Sequence, residues 1–122
     1  TGAARTALGP DLPAAFGNAE ALLTELKAVG DEEGDPVWPM PLWAPYDEDL
    51  SSRVADLCSV SSTAFAGAIF GALFLHRFVT ASPAWLHLDL YGWNPKDRPG
   101  RPLGAEAQCV RALYRLIRHR FG

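Results

Sequence analysis

The sequence has little of what membrane-spanning and disulfide-bonded proteins need. Its longest apolar stretch, residues 64–75, is 12 residues long, whereas a helix needs about 20 residues to cross a bilayer. The two cysteines, Cys58 and Cys109, stand far apart without CxxC or Cys/His spacing, which argues against a zinc knuckle and a disulfide framework. We therefore expect two buried free thiols.

The composition indicates neither disorder nor a fibrous repeat. Of the 122 residues, 48% are apolar and 20% are charged, which is ordinary usage for a globular protein. A chain of this length forms one domain with its own core, or part of one. It starts without Met and shows neither a basic n-region nor a signal-peptide pattern. We expect a cytoplasmic protein, and we expect this sequence to begin partway along its chain.

The two halves of the chain carry opposite charge. Residues 1–60 hold 11 acidic and 3 basic side chains, a formal −8, whereas residues 61–122 hold 3 acidic and 8 basic, a formal +5. A nucleic-acid module that uses the arginine-rich end is one interpretation, but this positive charge is spread over a loop and a helix and diluted by acid. We expect charge complementarity within the molecule or between subunits, and neither nucleic acid nor membrane as a partner.

Common catalytic motifs are missing. The sequence contains no phosphate-binding glycine loop, HExxH, GxSxG or calcium loop. His87 and Asp89 could form a hydrolase triad with Ser61 or Ser62, but side chains two apart on a strand point in parallel rather than at each other. A metal site would need the three histidines to converge from two helices and a strand; they are His76, His87 and His119. The residues alone predict no catalytic centre.

In the first half of the chain, the pattern predicts a strand end, a helix and an extended segment. Residues 1–10 carry glycine and proline around a small apolar run, which indicates a strand end leading into a loop. Asn18 is a good N-cap for a helix that Gly34 would stop. The apolar positions of this helix have the expected spacing: Leu22, Leu23, Leu26 and Val29. Four prolines in residues 36–45 exclude a helix or a central strand there.

The second half alternates helices and strands. Asp47 is expected to cap a short helix that runs through Leu50 and Val54, and residues 55–60 are a predicted strand. A nearly all-apolar helix is predicted from Thr63 through Val79 and should be buried. Residues 85–91 alternate leucines with other residues, which predicts an internal strand. A basic loop at 95–102 precedes a final helix with one apolar stripe: Val110, Leu113, Tyr114, Ile117 and Phe121.

This order of elements is typical of an α/β layer structure, here part of a mixed sheet flanked by helices. Open α/β sheets bind ligands beyond the carboxyl ends of their strands. Tyr91, Gly92 and Trp93 follow such a strand end, so they are candidates for a pocket wall. Aromatic core packing is the alternative, and it is the more common role of such residues.

Four ordered segments resemble the leucyl aminopeptidase (cytosol aminopeptidase) family. Residues 1–9, TGAARTALG, resemble the loop after an internal sheet strand in that family, and residues 34–43, GDPVWPMPLW, resemble its GDxVWxMPL segment. Residues 57–75 contain FAGAIFGALFL and resemble its buried AGA helix. Residues 85–92, WLHLDLYG, resemble its WAHLD strand and are followed by a GRP turn at 100–102. The continuation YGWN looks closest to a proteobacterial peptidase branch.

The resemblance implies that the whole chain, residues 1–122, is the C-terminal portion of a zinc-exopeptidase-like catalytic domain. The intact parent would remove N-terminal amino acids from peptides with two divalent ions, zinc or manganese, and would form a hexamer. The family's metal-ligand Lys, Asp and Glu residues and the arginine of its NTDAEGR motif would lie before the first residue, so no catalytic residue and no metal are expected in this chain. The resemblance leaves it substrate-binding residues: the backbone of Thr1 and Gly2, and the side chains of Val60, Tyr91 and Asn94.

One segment departs from the family. Residues 58–63, CSVSST, stand where an asparagine pair and a glycine-containing loop are usual. The departure affects the loop expected beside the pocket. It also leaves a second interpretation open, in which the chain is a non-catalytic scaffold or subunit-assembly module of a degenerate family member. Metal-ligand acids and NTDAEGR upstream in the intact gene would favour the enzyme, and their absence would favour the scaffold.

Overall fold

In the computed structural model, which describes residues 1–122, a three-stranded mixed sheet lies between two layers of helices. The strands β1 (Ala14–Gly17), β2 (Trp38–Pro39) and β3 (Leu86–Asp89) have the order β2-β1-β3, with β1 parallel to β2 and antiparallel to β3. The main helices are α1 (Gly2–Leu8), α2 (Glu20–Glu32), α3 (Gly67–His76) and α4 (Val110–Phe121). A 3-10 helix (Ala44–Leu50) and a small ribbon of β4 (Trp93–Asn94) and β5 (Gly104–Ala105) complete the fold. This is the predicted sheet flanked by helices.

The short strand β1 is the centre of the core because its side chains alternate between the two helix layers. Ala14 and Phe16 pack with residues of α1 and α3, and Ala15 packs with residues of α2 and α4. All three side chains are fully buried. The residue pattern predicts no strand here, since apolar residues follow one another without alternation.

The first residues form a helix, so the prediction of a strand end and a loop was wrong. Thr1 caps α1, because its hydroxyl accepts a hydrogen bond from the backbone N–H of Ala4 at 3.1 Å. Gly9 ends the helix with φ of 80°, a left-handed value that glycine adopts without strain. The glycines and the proline of this segment therefore mark helix ends rather than a continuous loop.

The helix α2 confirms the prediction in position but not in capping. Gly34 follows its last turn with φ of 61°. Asn18 does not cap the helix, because its Oδ1 accepts a hydrogen bond from the backbone N–H of Trp85 at 2.7 Å. Asn18 thus joins the entry of α2 to the start of β3. The buried positions of α2 are mainly those that the spacing predicts: Leu22, Leu26, Val29 and also Gly30.

The segment between β2 and α3 differs most from prediction. The 3-10 helix begins before Asp47 and ends at Leu50, so Asp47 is not its cap and no helix reaches Val54. Asp47 instead accepts hydrogen bonds from the Arg77 guanidinium at 2.8 and 2.6 Å. The predicted strand at 55–60 does not form. The preceding backbone turns locally, with the N–H groups of Val54 and Ala55 donating to the Ser52 hydroxyl.

The apolar helix α3 is shorter than predicted at both ends. It begins at Gly67 rather than at Thr63, because Ala66 has φ of 54° and breaks the helical conformation. It ends at His76 rather than at Val79. A Cβ on Gly67 would lie only 3.1 Å from the Cβ of Ala3, so a small residue lets α3 lie against α1. No helix of the structure is long and apolar enough to cross a membrane.

The alternation in β3 is confirmed. Leu86 and Leu88 pack against the layer of α2 and α4, whereas His87 lies on the other face and stacks on Phe16 with 5.9 Å between ring centroids. Within this chain, however, β3 is an edge strand rather than the predicted internal one. One side of β3 therefore has no strand partner here.

The last helix buries a different face from the one predicted. Ala112 and Leu116 are buried against α2. Small residues explain this choice, since the Ala112 Cβ lies 3.7 Å from where a Cβ on Gly30 would be, and the two helices can approach closely. Much of the predicted stripe is left exposed, at 57% for Val110, 63% for Tyr114, 55% for Ile117 and 82% for Phe121.

Asp35 determines where α4 begins. Its buried carboxylate accepts hydrogen bonds from the backbone N–H groups of Cys109 at 2.9 Å, Arg111 at 3.0 Å and Ala112 at 3.1 Å. A carboxylate is favourable at a helix N-terminus, where N–H groups lack partners within the helix. Burial raises the pKa of the Cys109 thiol to about 12, so this thiol stays protonated. Asp35 therefore anchors α4, which lies far from it in sequence.

We predict that Asp35→Ala lowers the free energy of unfolding by about 2 to 3 kcal/mol, because it leaves buried N–H donors without partners. Chemical denaturation followed by circular dichroism measures the change. The matched control is Asp31→Ala, which removes an exposed carboxylate paired with Lys27 at 2.7 Å and should change stability by no more than about 0.5 kcal/mol. Equal effects of the two substitutions would contradict the anchoring role of Asp35.

We also predict that the isolated chain self-associates through the exposed side of α4, because water disfavours large apolar patches. Sedimentation velocity should show oligomers, and the triple variant Tyr114→Glu, Ile117→Glu, Phe121→Glu should shift the chain towards monomer. Val54→Glu is the control, since Val54 is 97% exposed in a separate loop. A monodisperse monomer with a cooperative melt would show that the chain needs no partner for this face.

Candidate functional site

Three of the predicted substrate-binding residues lie near the carboxyl end of β3. The Thr1 hydroxyl donates a hydrogen bond to the Asp89 carboxylate at 2.6 Å, and Gly2 begins α1 next to it. Tyr91 follows the strand, and the guanidinium of Arg5 lies over its ring, 4.5 Å from the centroid. A Cβ on Gly2 would meet no atom within 4 Å. The start of α1 and the end of β3 thus form one surface with open space at Gly2.

Val60 lies in an adjoining groove. The groove is lined by the loop around Val60 and by α3, including Gly67 and Gly71. The Thr1 methyl carbon lies 3.4 Å from where a Cβ on Gly71 would be, so the groove borders the start of α1. Val60 is 73% exposed. Its side chain is free to contact another group.

Asn94 does not join the other four. It is fully buried in the ribbon, where its amide nitrogen donates to the carbonyl oxygens of Arg101 at 2.7 Å and Pro102 at 2.9 Å. Its amide oxygen accepts from the Arg98 guanidinium at 2.9 Å. Asn94 therefore holds the GRP turn in place and has no exposed atom to offer in this structure.

The structure does not assemble a hydrolase triad from His87, Asp89 and a serine. His87 lies between Phe16 and Trp85, with 6.1 Å between its ring centroid and that of Trp85, and its side chain makes no hydrogen bond. Asp89 is bound to Thr1 instead, and the Ser61 hydroxyl donates to the carbonyl oxygen of Thr63 at 2.8 Å. Burial lowers the pKa of His87 and outweighs the opposite effect of the Asp89 carboxylate.

The three histidines do not form a metal site. His76 stacks at a tilt on Trp85, with 5.1 Å between centroids, whereas His119 lies 3.1 Å from the Glu25 carboxylate between α2 and α4. No group of three or more His, Cys, Asp or Glu side chains lies close enough to hold a metal ion. The residues present therefore do not fit a catalytic metal centre by themselves.

Sequence reasoning missed Asp89 and Arg5 as members of this site. Asp89 is 6% exposed, and a buried carboxylate needs hydrogen-bond donors nearby. The available signal was an acid in a strand that alternates with leucines, but its donor, Thr1, is 88 residues away in sequence. Arg5 gave no signal, because it lay in a segment that was expected to be a loop.

The fold and the ordered segments define part of a zinc-exopeptidase-like catalytic domain. Residues 1–114 match the sequence profile of the cytosol aminopeptidase family, catalytic domain. The chain therefore belongs to the cytosol aminopeptidase family, which confirms the resemblance found in its four segments.

Known relatives are similar in sequence and structure to nearly the whole chain. A probable cytosol aminopeptidase of Desulfovibrio desulfuricans is 40% identical over 120 residues, covering 97% of this chain and 24% of that protein. Among solved structures, the cytosol aminopeptidase from Coxiella burnetii has a TM-score of 0.93 at 45% identity, covering 100% of this chain and 27% of its own. The bottromycin maturation enzyme BotP has a TM-score of 0.91 at 32% identity, and the match covers 98% of this chain and 27% of the BotP chain. The chain thus spans about a quarter of each of these proteins.

We predict that the free energy of unfolding falls as the pH is lowered from about 7.5 to about 5.5, and that His87→Gln reduces this dependence. Because the folded-state pKa of His87 lies below its ordinary value of 6.5, the unfolded chain binds the proton first as pH falls, which favours unfolding. Denaturant titrations at each pH measure the effect, with the exposed His119→Gln as control. If His87→Gln leaves the pH dependence unchanged, His87 is not the group whose lowered pKa causes it.

Proposed function

We propose that the intact parent of this chain is a metal-dependent aminopeptidase that hydrolyses N-terminal amino acids from peptides. The chain would be the C-terminal portion of its catalytic domain. The observation that carries the proposal is the family match over residues 1–114. The high structural similarity to a cytosol aminopeptidase over 100% of this chain supports it.

The share of this chain in that activity would be substrate binding. Thr1, Gly2 and Tyr91 form a surface beside a strand end, and Val60 lies in the groove that borders it. Open backbone at Gly2 lets a peptide N–H approach a ligand closely, since no Cβ intervenes. Tyr91 is 41% exposed and can contact the side chain of a bound residue. Asn94 would act indirectly, by holding the turn after the ribbon.

Two divalent ions, zinc or manganese, would be held by the rest of the catalytic domain. Bound there, such ions polarise a scissile carbonyl and activate a water. BotP, which is 32% identical to this chain, has been solved in complex with Mn, and this similarity supports a divalent ion in the parent. Three acids of this chain already have other partners: Asp35 holds backbone N–H groups, Asp89 holds Thr1 and Glu25 pairs with Arg120.

The parent would act in the cytoplasm as a homo-oligomer, a hexamer by resemblance. The names of the relatives support the location. The exposed apolar residues of α4 leave a face that another part of the parent, or a neighbouring subunit, could cover. Assembly would add to the activity rather than replace it.

A non-catalytic scaffold is the second candidate, and the segment at residues 58–63 favours it. This segment departs from the family pattern and has no helix or strand in the structure. A parent with an altered loop beside the pocket could keep the fold and lose the ability to hydrolyse peptides. Assay of the full-length parent with zinc or manganese on N-terminal aminoacyl substrates separates the two: no hydrolysis of any of them supports the scaffold.

We predict that Tyr91→Ala in the full-length parent changes the preference for the first residue of a peptide. Removing an exposed ring from a pocket wall should change the ratio of kcat/KM between large and small N-terminal side chains by about tenfold. Trp43→Ala is the matched control, because Trp43 is a similarly exposed aromatic that precedes the 3-10 helix, away from the end of β3. Equal losses on every substrate, or none, would assign Tyr91 to packing.

A further inference from the structure

Asp89 is the one buried acid at the carboxyl end of β3. Asp89 is 6% exposed, and one of its carboxylate oxygens accepts a hydrogen bond from the Thr1 hydroxyl at 2.6 Å. The N-terminal ammonium group of Thr1 lies against the other oxygen. A carboxylate taken out of water is costly unless such donors satisfy it. The Thr1 hydroxyl is therefore the side-chain donor that satisfies Asp89.

Thr1 is fixed from three directions. Its hydroxyl donates to Asp89 and accepts from the backbone N–H of Ala4 at 3.1 Å. Its methyl group faces α3, 3.4 Å from where a Cβ on Gly71 would be. A side chain held in this way has one orientation, and the first turn of α1 is oriented with it.

The arrangement is better suited to fixing geometry than to adding stability. A buried carboxylate with its donors often contributes no more to stability than well-packed apolar residues of the same size. Asp89 also does not use its position to hold His87, which lies two residues earlier on the same face of β3 and makes no side-chain hydrogen bond. What Asp89 does hold is the residue next to Gly2.

We propose that Asp89 is a positioning residue, which sets the backbone of Thr1 and Gly2 for contact with a peptide substrate through the Thr1 hydroxyl. This rests on the proposed function, because it assumes that the start of α1 faces the substrate. Asp89 itself would touch neither the substrate nor a metal ion. Displacing this backbone slightly would weaken catalysis strongly, since reacting groups must be placed within a fraction of an ångström.

The test uses the full-length parent with its metal ions. Asp89→Asn keeps the shape of the side chain but loses one acceptor, and Thr1→Val keeps the methyl contact but loses the hydroxyl. Each should lower kcat/KM by about tenfold or more on aminoacyl substrates, measured well below the melting temperature of the variant and with unchanged metal content. Thr1→Ser restores the hydroxyl and should recover most of the loss. Asp31→Asn, an exposed acid on α2, is the control and should match the parent.

The double variant Asp89→Asn, Thr1→Val separates one shared interaction from two independent ones. If both residues act through the same hydrogen bond, the double variant should be no worse than the worse single variant. Additive losses, full activity of Asp89→Asn, or a Thr1→Ser variant as weak as Thr1→Val would overturn the proposal. Losses that follow the melting temperature would assign Asp89 to stability alone.

Hydrogen exchange distinguishes failure of this proposal from failure of the proposed function. Amides of residues 1–9 should exchange faster in Asp89→Asn and Thr1→Val than in the parent and the Asp31→Asn control, whether or not the parent hydrolyses peptides. Faster exchange in an inactive parent would support positioning of α1 and contradict the aminopeptidase. Unchanged exchange in both variants would overturn the role of Asp89.

Discussion

The carboxylate of Asp35 is the interaction on which one whole layer of this structure depends. It accepts three backbone N–H groups at the start of α4, and so fixes the position of that helix against α2. The two helices lie close together, because the Ala112 Cβ is 3.7 Å from where a Cβ on Gly30 would be. Ala15 of β1 is covered by the two helices that this contact brings together. Asp35 thus links a loop, two helices and the sheet.

The opposite layer is organised by a second buried acid. Asp89 ends β3 and holds Thr1, while small residues let α1 and α3 lie together over Ala14 and Phe16. The two acids do similar work, since each satisfies donors at the first turn of a helix. They differ in what lies beside them. Asp35 is enclosed by the core, whereas Asp89 lies at the carboxyl end of β3, next to Thr1.

Sequence reasoning succeeded where a period was long and failed where the partner was distant. The leucine alternation of β3 and the apolar spacing of α2 predicted those elements, whereas the family segments placed Thr1 in a loop although it caps α1. The strand β1 shows no alternation, because its side chains are buried on both faces of the sheet. The buried face of α4 was also missed, because the crossing is made by Gly30 and Ala112 rather than by the larger side chains. The contact of Asp35 with Cys109 spans 74 residues of sequence, so no local pattern contains it.

The most direct test of this account is amide hydrogen exchange of the isolated chain, resolved at the start of α4. If Asp35 anchors this helix without help from the rest of a catalytic domain, the amides of Cys109 and Ala112 should be among the slowest to exchange. They should be far slower than the amides of the loop at residues 51–66, which lies outside the helices and strands. Exchange at Cys109 and Ala112 as fast as in that loop would show that α4 is not held by Asp35 in this chain, and would contradict the account.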